Sequence, residues 1–169
     1  YDQALVMQML AFGMDRRKAM LADLLADVTG LQTIYLRNDP KSRALEGLPQ
    51  ERGFVKGGGA TTVEITEGQA VFRVDMESGQ KTGWFCDQRE NRLAAARYAN
   101  GAEVLEAFCH TGAFGIHAAL AGAVSVEGLD VSEDSLALAR EHARRNRVES
   151  RCRYRRSEEH TSELQSLRH

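Results

Sequence analysis

Apolar side chains recur at a helical spacing in the first part of the chain. They are Leu5, Met9, Phe12, Leu21, Leu24, Leu25 and Val28. Such a period is typical of a helix with one buried face. The pattern predicts a helix over residues 3–28 that stops at Gly30.

Strand-like runs follow this segment. QTIYL at residues 32–36 predicts a short strand, and the stretch RNDPKSRALEGLPQERG after it, with both prolines, predicts an irregular connection. GGG at residues 57–59 predicts a loop. TTVEI and AVFRVDM flank the turn sequence TEGQ, which together predict a hairpin. A helix is predicted again from about Arg89, with Leu93 and Ala96 facing inward.

From Glu103 the pattern alternates between short apolar runs and helical periods. EVLEAF predicts a buried strand, GAFGIHAALAGA a helix, VSVEGLDV a second strand and SEDSLALAREHARRNRV a second helix that Ser132 caps. Strands alternating with helices over short connections indicate a parallel, doubly wound α/β sheet. We therefore predict a small α+β region over residues 1–100 and the start of a Rossmann-like domain over residues 101–155.

Composition narrows the class of protein. Apolar residues make up 43% and charged residues 27% of the 169 residues, which is ordinary for a globular domain. The net charge of -2 gives no basic field from which nucleic-acid binding could be argued. The three cysteines are widely spaced, which fits neither a disulfide framework nor a metal site and predicts a cytoplasmic setting. No apolar run approaches the roughly 18 residues that would span a membrane.

The stretch VLEAFCHTGAFG joins the first strand of the alternating region to its helix. Gly112 lets the backbone approach a ligand, and Asp130 closes the next strand 18 positions later, near the spacing at which an acid binds ribose hydroxyls. The turn has neither the third glycine of a dinucleotide site nor the Gly-Lys-Ser/Thr of a P-loop. Glu106 also disfavours a phosphate and favours a cationic group. These residues predict a ligand with a ribose and no phosphate, of which S-adenosylmethionine (SAM) is the common one. The alternative is a packing turn, with Asp130 as a helix cap.

Three blocks resemble a known enzyme family. They are GQKTGWFCDQRENR at residues 79–92, VLEAFCHTGAFG at residues 104–115 and VEGLDVSEDSLALAREHARRN at residues 126–146. GMDRRKAML and ALEGL, upstream, are similar to that family's central region. The blocks resemble the class I SAM-dependent methyltransferases that make 5-methylcytosine in large-subunit ribosomal RNA. A related group that methylates guanine N7 shares them, and a non-catalytic RNA-binding module on the same scaffold is a further alternative.

The resemblance implies roles for individual residues. The methionine side of SAM would be lined by Glu106, Phe108, Thr111 and Gly112. Asp130 would bind the ribose hydroxyls and Val131 would lie beside the adenine. A lip over the methionine end would be formed by Phe85, Asp87, Gln88 and Arg89, and Lys81 and Thr82 would stabilise that loop or approach the substrate. The alternatives are a core position for Phe85, a local ion pair of Asp87 with Arg89, and a surface charge at Lys81.

The resemblance also implies where the chemistry occurs. Methylation at cytosine C5 needs a thiolate that attacks C6. In the family this cysteine lies on a loop that would follow residue 169, so we assign the catalytic role to neither Cys86 nor Cys109 and expect no metal. Ribosomal RNA is the implied partner of the intact enzyme.

The last residues differ in character from the rest. RSEEHTSELQS at residues 156–166 matches the translation of a widely used sequencing-library adapter. We interpret residues 156–169 as an artefactual, disordered tail that replaces later strands of the domain. The first strand of the sheet would then lack a neighbour on one side, and we expect residues 100–155 to be marginally folded and the chain itself to be inactive.

Overall fold

The computed structural model describes residues 1–157 and divides the chain into two compact units with interleaved segments. The first unit comprises Tyr1–Ile65 and Arg73–Cys86. The second comprises Thr66–Phe72 and the chain from Asp87 onward. The predicted boundary near residue 100 concerns the domains of the intact protein and stays a prediction.

The first unit contains a three-stranded sheet and two α-helices. Its strands are β1 (Leu5–Met7), β2 (Ile34–Asn38) and β3 (Glu51–Lys56), with β1 parallel and β3 antiparallel to β2. Its helices are α1 (Phe12–Asp15), α2 (Lys18–Thr29) and a 3₁₀ helix at Lys41–Glu46. The core consists of Met7, Met9, Ala22, Ala26, Ile34 and Leu36.

The predicted first helix is only partly correct. α2 ends before Gly30, whose left-handed backbone (φ 75°) and amide bond to the Ala26 carbonyl stop the helix as expected. Leu5–Met7, however, form β1 rather than helix, since the Leu5 amide donates to the Thr33 carbonyl at 2.9 Å and the segment pairs with β2. β3 begins at Glu51 within the stretch predicted to be irregular, which ends at Gly53, and continues beyond it. Long-range pairing overrides the local pattern at both places.

The predicted hairpin is confirmed as β4 (Thr62–Glu67) paired with β5 (Ala70–Asp75). Every second residue of both strands is buried, which is the period-2 signal by which the sequence predicted it. The hairpin tip, Thr66–Phe72, belongs to the second compact unit.

The second unit contains the alternating region. In chain order its elements are α3 (Arg89–Ala96), β6 (Glu103–Ala107), α4 (Ala113–Leu120), β7 (Ser125–Asp130), α5 (Glu133–Arg145) and β8 (Cys152–Arg156). The three strands form a parallel sheet in the order β6-β7-β8, which confirms the α/β prediction. The Ser132 hydroxyl accepts the Ser135 amide at 3.2 Å, so the predicted cap of α5 is also confirmed.

β6 lies at the edge of this sheet among residues 1–157, as predicted. The prediction that it is a buried strand is wrong, because its residues alternate between half-buried and exposed, and Leu105 is 66% exposed. None of the helices in the described residues is long and apolar enough to cross a membrane. Of the predicted tail, Arg156 ends β8, and residues 158–169 lie outside the described residues.

Candidate cofactor site

The carboxylate of Glu106 lies at the amino-terminal end of α4. Glu106 is near the carboxyl end of β6, and its Oε2 accepts a hydrogen bond from the Gly115 amide at 2.9 Å. Unpaired amides at a helix start favour an anion, and here a side chain of the protein supplies it. A ligand phosphate would meet this carboxylate rather than free amides.

Burial raises the pKa of Glu106 to about 7, while the amides of Gly115 and Phe114 and the Arg92 guanidinium oppose the rise. Burial therefore favours the protonated form of this carboxyl group. A cation bound beside it would favour the ionised form.

Gly115 is a site residue that the sequence reasoning missed. A Cβ atom there would lie 2.6 Å from Glu106 Oε2 and 2.7 Å from Val126 Cγ1. Only a glycine lets the carboxylate and β7 approach α4 this closely. The available signal was the second glycine of T-G-A-F-G, three residues after Gly112.

The turn between β6 and α4 has an unusual backbone. Phe108 (φ 56°), His110 (φ 49°) and Gly112 (φ 74°) all have left-handed conformations. Such conformations are costly for residues other than glycine and concentrate at functional sites. The Cys109 amide donates to the Leu129 carbonyl at 2.9 Å, which fixes the turn against β7.

Asp130 ties this turn to the end of β7. Its Oδ2 accepts the His110 amide at 2.7 Å and its Oδ1 accepts the Ser132 amide at 3.0 Å. Each carboxylate oxygen has a second lone pair. The N-cap of α5 is Ser132 rather than Asp130, and the Asp130 carboxylate has capacity left for ribose hydroxyls.

The other predicted residues of the turn share this edge of the sheet. Thr111 is buried, and its carbonyl oxygen accepts a hydrogen bond from Nδ1 of the buried His142 at 3.1 Å. Phe108 is 85% exposed and Val131 is 41% exposed, so two apolar side chains are accessible at the carboxyl ends of β6 and β7.

The remaining predicted residues fall on both compact units. In the first unit, Lys81 Nζ lies 4.4 Å from the centre of the Phe85 ring, and the Thr82 carbonyl accepts the Tyr1 hydroxyl at 2.8 Å. In the second unit, Asp87 and Gln88 belong to a 3₁₀ turn at Cys86–Gln88, and Arg89 begins α3.

Cys109 does not have the properties of a nucleophile. Burial raises the pKa of Cys109 to about 12, and the nearby Glu106 and Asp130 carboxylates add to the rise. The Cys109 thiol is therefore protonated at neutral pH and has no thiolate to offer. Cys86 is exposed.

Glu67, Arg92 and His117 form a buried ionic cluster that contacts α4 through His117. Glu67, on the hairpin tip, accepts two bonds from Arg92, at 2.5 and 2.6 Å, and its Oε1 lies 3.0 Å from His117 Nε2. All three side chains are at least 95% buried. Burial also lowers the pKa of His117. The partners are 25 and 50 residues apart, so no local pattern could have predicted the cluster.

A groove of about 650 Å³ runs along the exposed face of β6. It is lined by residues of α3, β6 and α4, among them Leu105 and Phe114, and by Tyr98, which follows α3. Its lining contains Glu106 and Phe108 but neither Gly112 nor Asp130, so we assign it to the uncovered sheet rather than to a cofactor.

Comparison with known proteins decides the family. A family model described as S-adenosylmethionine-dependent methyltransferase matches residues 48–161. The chain belongs to this methyltransferase family. The matched range holds both strand-end acids, the glycine turn and the whole parallel sheet.

Two curated relatives of this methyltransferase chain are named ribosomal RNA large subunit methyltransferase I. The protein of Shewanella amazonensis is 43% identical over 83% of this chain and 36% of its own length. That of Aeromonas hydrophila is 36% identical over 89% of this chain and 38% of its own length. The chain thus spans less than two fifths of the length of either relative.

A solved structure has the same fold. It is described as a methyltransferase complexed with SAH, S-adenosylhomocysteine, and superposes with a TM-score of 0.76 at 22% identity over 98% of this chain and 42% of its own. At this identity the likeness shows the fold, and the fold is the Rossmann-like one that the alternating strands and helices predicted.

Proposed function

We propose that the intact protein containing this chain transfers a methyl group from SAM to C5 of a cytosine in large-subunit ribosomal RNA. The observation that carries the proposal is the pair of acids at adjacent strand ends, Glu106 against the start of α4 and Asp130 against the turn. The family match supports SAM as the cofactor, and the names of the relatives support ribosomal RNA as the substrate. The resemblance of the block GQKTGWFCDQRENR supports cytosine C5.

The side chains of the site fit this cofactor. A half-buried carboxylate at Glu106 attracts a cationic ligand end, and its position against the Gly115 amide disfavours a phosphate. Asp130 has lone pairs for the ribose hydroxyls. Phe108 and Val131 offer apolar surface to the ligand. When bound, SAM supplies an electrophilic methyl group on its sulfonium sulfur.

The other residues have supporting roles in this proposal. Thr111 and Gly112 shape the turn around the methionine end. A lip over that end is formed by Phe85, Asp87, Gln88 and Arg89, and Lys81 and Thr82 stabilise the lip or approach the RNA. The resemblance implies that the thiol that attacks cytosine C6 lies on a loop that would follow residue 169, and the thiol of Cys109 is held protonated.

Cofactor binding is tested by one charge-removing substitution and its match. We expect Asp130→Asn to weaken SAM binding by about tenfold or more, as the loss of a hydrogen bond to a charged group does. Asp134→Asn removes the same charge from an exposed position in the first turn of α5 and should leave binding unchanged. Calorimetric titration of the intact protein with SAM measures both. Equal affinity in the two variants would contradict the role of Asp130.

The reaction is tested on unmodified large-subunit RNA. The intact protein is incubated with SAM that carries a labelled methyl group, and the RNA is digested to nucleosides for mass spectrometry. We expect labelled 5-methylcytidine. Labelled 7-methylguanosine would replace the cytosine proposal with guanine N7, and SAM binding without RNA labelling would leave a binding module.

A further inference from the structure

Three residues form one row across the parallel sheet. Glu106 on β6 is opposite Gly128 on β7, and Gly128 is opposite Tyr154 on β8. Residues in register on neighbouring strands project from the same face of a sheet. Glu106 and Tyr154 therefore face the same side, which is the side covered by α4, and are separated only by a residue without a side chain.

The Tyr154 ring occupies the space above Gly128. A Cβ atom at Gly128 would lie 2.5 Å from Tyr154 Cδ1 and 2.7 Å from Cε1. Neighbouring strands are about 4.8 Å apart, so about 10 Å separates β6 from β8. A tyrosine and a glutamate side chain on this face are together long enough to span that distance.

The Tyr154 hydroxyl ends beneath the glycine turn, on the face of the sheet from which Glu106 also projects. Its oxygen would lie 2.6 Å from a Cβ atom at Gly112, and Glu106 Oε2 would lie 2.6 Å from a Cβ atom at Gly115. Positions three apart at a helix start lie on one face, about 5–6 Å from each other. The two oxygens therefore approach the same turn of α4 from the same sheet.

The hydroxyl is buried without a suitable partner. Tyr154 is 5% exposed, and its oxygen has no hydrogen-bond partner within residues 1–157. Burial raises the pKa of Tyr154, and the Cys152 thiol and the Glu106 carboxylate raise it further, so the group is a neutral donor. A thiol is a weak acceptor. An unsatisfied buried hydroxyl is costly, and proteins satisfy such groups with a nearby acceptor or a buried water.

We propose that Tyr154 is a positioning residue for the cofactor site, whose hydroxyl donates to the Glu106 carboxylate through one buried water. The bond fixes the carboxylate in the orientation that faces the cationic end of the ligand and favours its ionised form. That the two side chains share a face follows from the sheet register, whereas the effect of the bond on SAM rests on the proposed function.

The test replaces the hydroxyl alone. Tyr154→Phe keeps the ring above Gly128, and Tyr98→Phe makes the same change at a side chain that is 87% exposed. At pH 8 we expect Tyr154→Phe to weaken SAM binding about tenfold, which is about 1.4 kcal/mol, and Tyr98→Phe to leave it unchanged. Calorimetric titrations of the intact protein between pH 5 and pH 8 give the affinities and the pH midpoint of binding.

The pH midpoint separates positioning from packing. Without its donor the carboxyl group holds a proton more tightly, so we expect Tyr154→Phe to move the midpoint of SAM binding to higher pH. The charged and titratable groups that act with Glu106 are Arg92 on α3, Cys109 in the turn, Asp130 on β7, and Cys152 and Tyr154 on β8. The substitution leaves all of these in place except Tyr154.

Urea unfolding of the same variants tests the contact without SAM. We expect Tyr154→Phe to lower the unfolding midpoint more at pH 8 than at pH 5, because a bond to an ionised acceptor is the stronger one. A Tyr154→Phe protein that is more stable than the parent at both pH values, with an unmoved binding midpoint, would overturn the proposal and show a hydroxyl without a partner. If the parent protein binds no SAM, the proposed function fails, and the unfolding data still decide the contact.

Discussion

Replacing Gly112 by alanine should destabilise the second unit more than the same replacement at Gly101. The two glycines have nearly the same backbone, with φ 74° at Gly112 and 73° at Gly101. They differ in their surroundings. An added Cβ at Gly112 meets the Tyr154 side chain, with the hydroxyl oxygen at 2.6 Å, whereas an added Cβ at Gly101 meets nothing within 4 Å.

The comparison separates two costs. A left-handed conformation costs an L-residue about 1–2 kcal/mol, and the lower entropy of the unfolded alanine chain offsets about 0.4–1 kcal/mol of that. Gly101→Ala should therefore lower the free energy of unfolding by about 1 kcal/mol. At Gly112 the overpacking against Tyr154 adds about 1–3 kcal/mol. Gly112→Ala should then cost about 3 kcal/mol in total.

Urea unfolding followed by far-ultraviolet circular dichroism measures both variants. Combining Gly112→Ala with Tyr154→Leu is the control for the cause, since the shorter side chain removes the atoms that the Cβ would meet. The double variant should recover part of the additional cost. Equal destabilisation by Gly112→Ala and Gly101→Ala would refute the packing argument and leave backbone strain as the only effect.

Three further predictions concern the second unit. Burial raises the pKa of Glu106 from 4.5 to about 7, so the folded state binds a proton more tightly than the unfolded state. The free energy of unfolding should therefore be greatest below pH 4.5 and fall by about 3 kcal/mol as the pH rises to about 7. Urea unfolding from about pH 4 to about pH 8 measures this fall, which should be absent in Glu106→Gln. Arg92→Met leaves the Glu67 carboxylate buried without its bidentate partner and should cost about 3–5 kcal/mol in thermal unfolding. The control, Arg97→Met at an exposed position, should change stability by less than about 0.5 kcal/mol. Equally small effects of the two substitutions would show that the buried cluster contributes nothing to stability. Ser132→Ala removes the cap of α5 and should cost about 1 kcal/mol in urea unfolding. Ser150→Ala is the control, since Ser150 is exposed and caps no helix of the described residues. An unchanged stability of Ser132→Ala would mean that the cap bond adds no stability.

Local signals predicted those parts of the fold whose causes are local. The cap of α5 and the stop of α2 each depend on one residue and its neighbours, and the sequence shows both. The acids at 106 and 130 were identified because strand ends in a parallel sheet meet at one edge, whatever the details of packing.

The features that were missed depend on pairing between distant segments. Leu5–Met7 form a strand because they pair with β2, and β3 begins within a stretch predicted to be irregular for the same reason. Gly115 and Gly128 are glycines because Glu106 and Tyr154 pass over them, which the sequence does not show until the register of the strands is known. Burial of Glu67 could not be anticipated, because its cationic partner is 25 residues away.

The side-chain contacts that hold the hairpin tip within the second unit limit how this gene can be divided and recombined. Besides the bonds of Arg92 to Glu67, the Asn146 side chain holds the backbone of Val71, accepting its amide at 2.8 Å and donating to its carbonyl at 2.7 Å. A clone that starts at α3 would lack both Glu67 and Val71, and would therefore lose both contacts and leave Arg92 without its acid. The parallel sheet therefore cannot be transferred to another gene on its own. A gene fusion or exchange must include the hairpin, so its crossover points lie before Thr62.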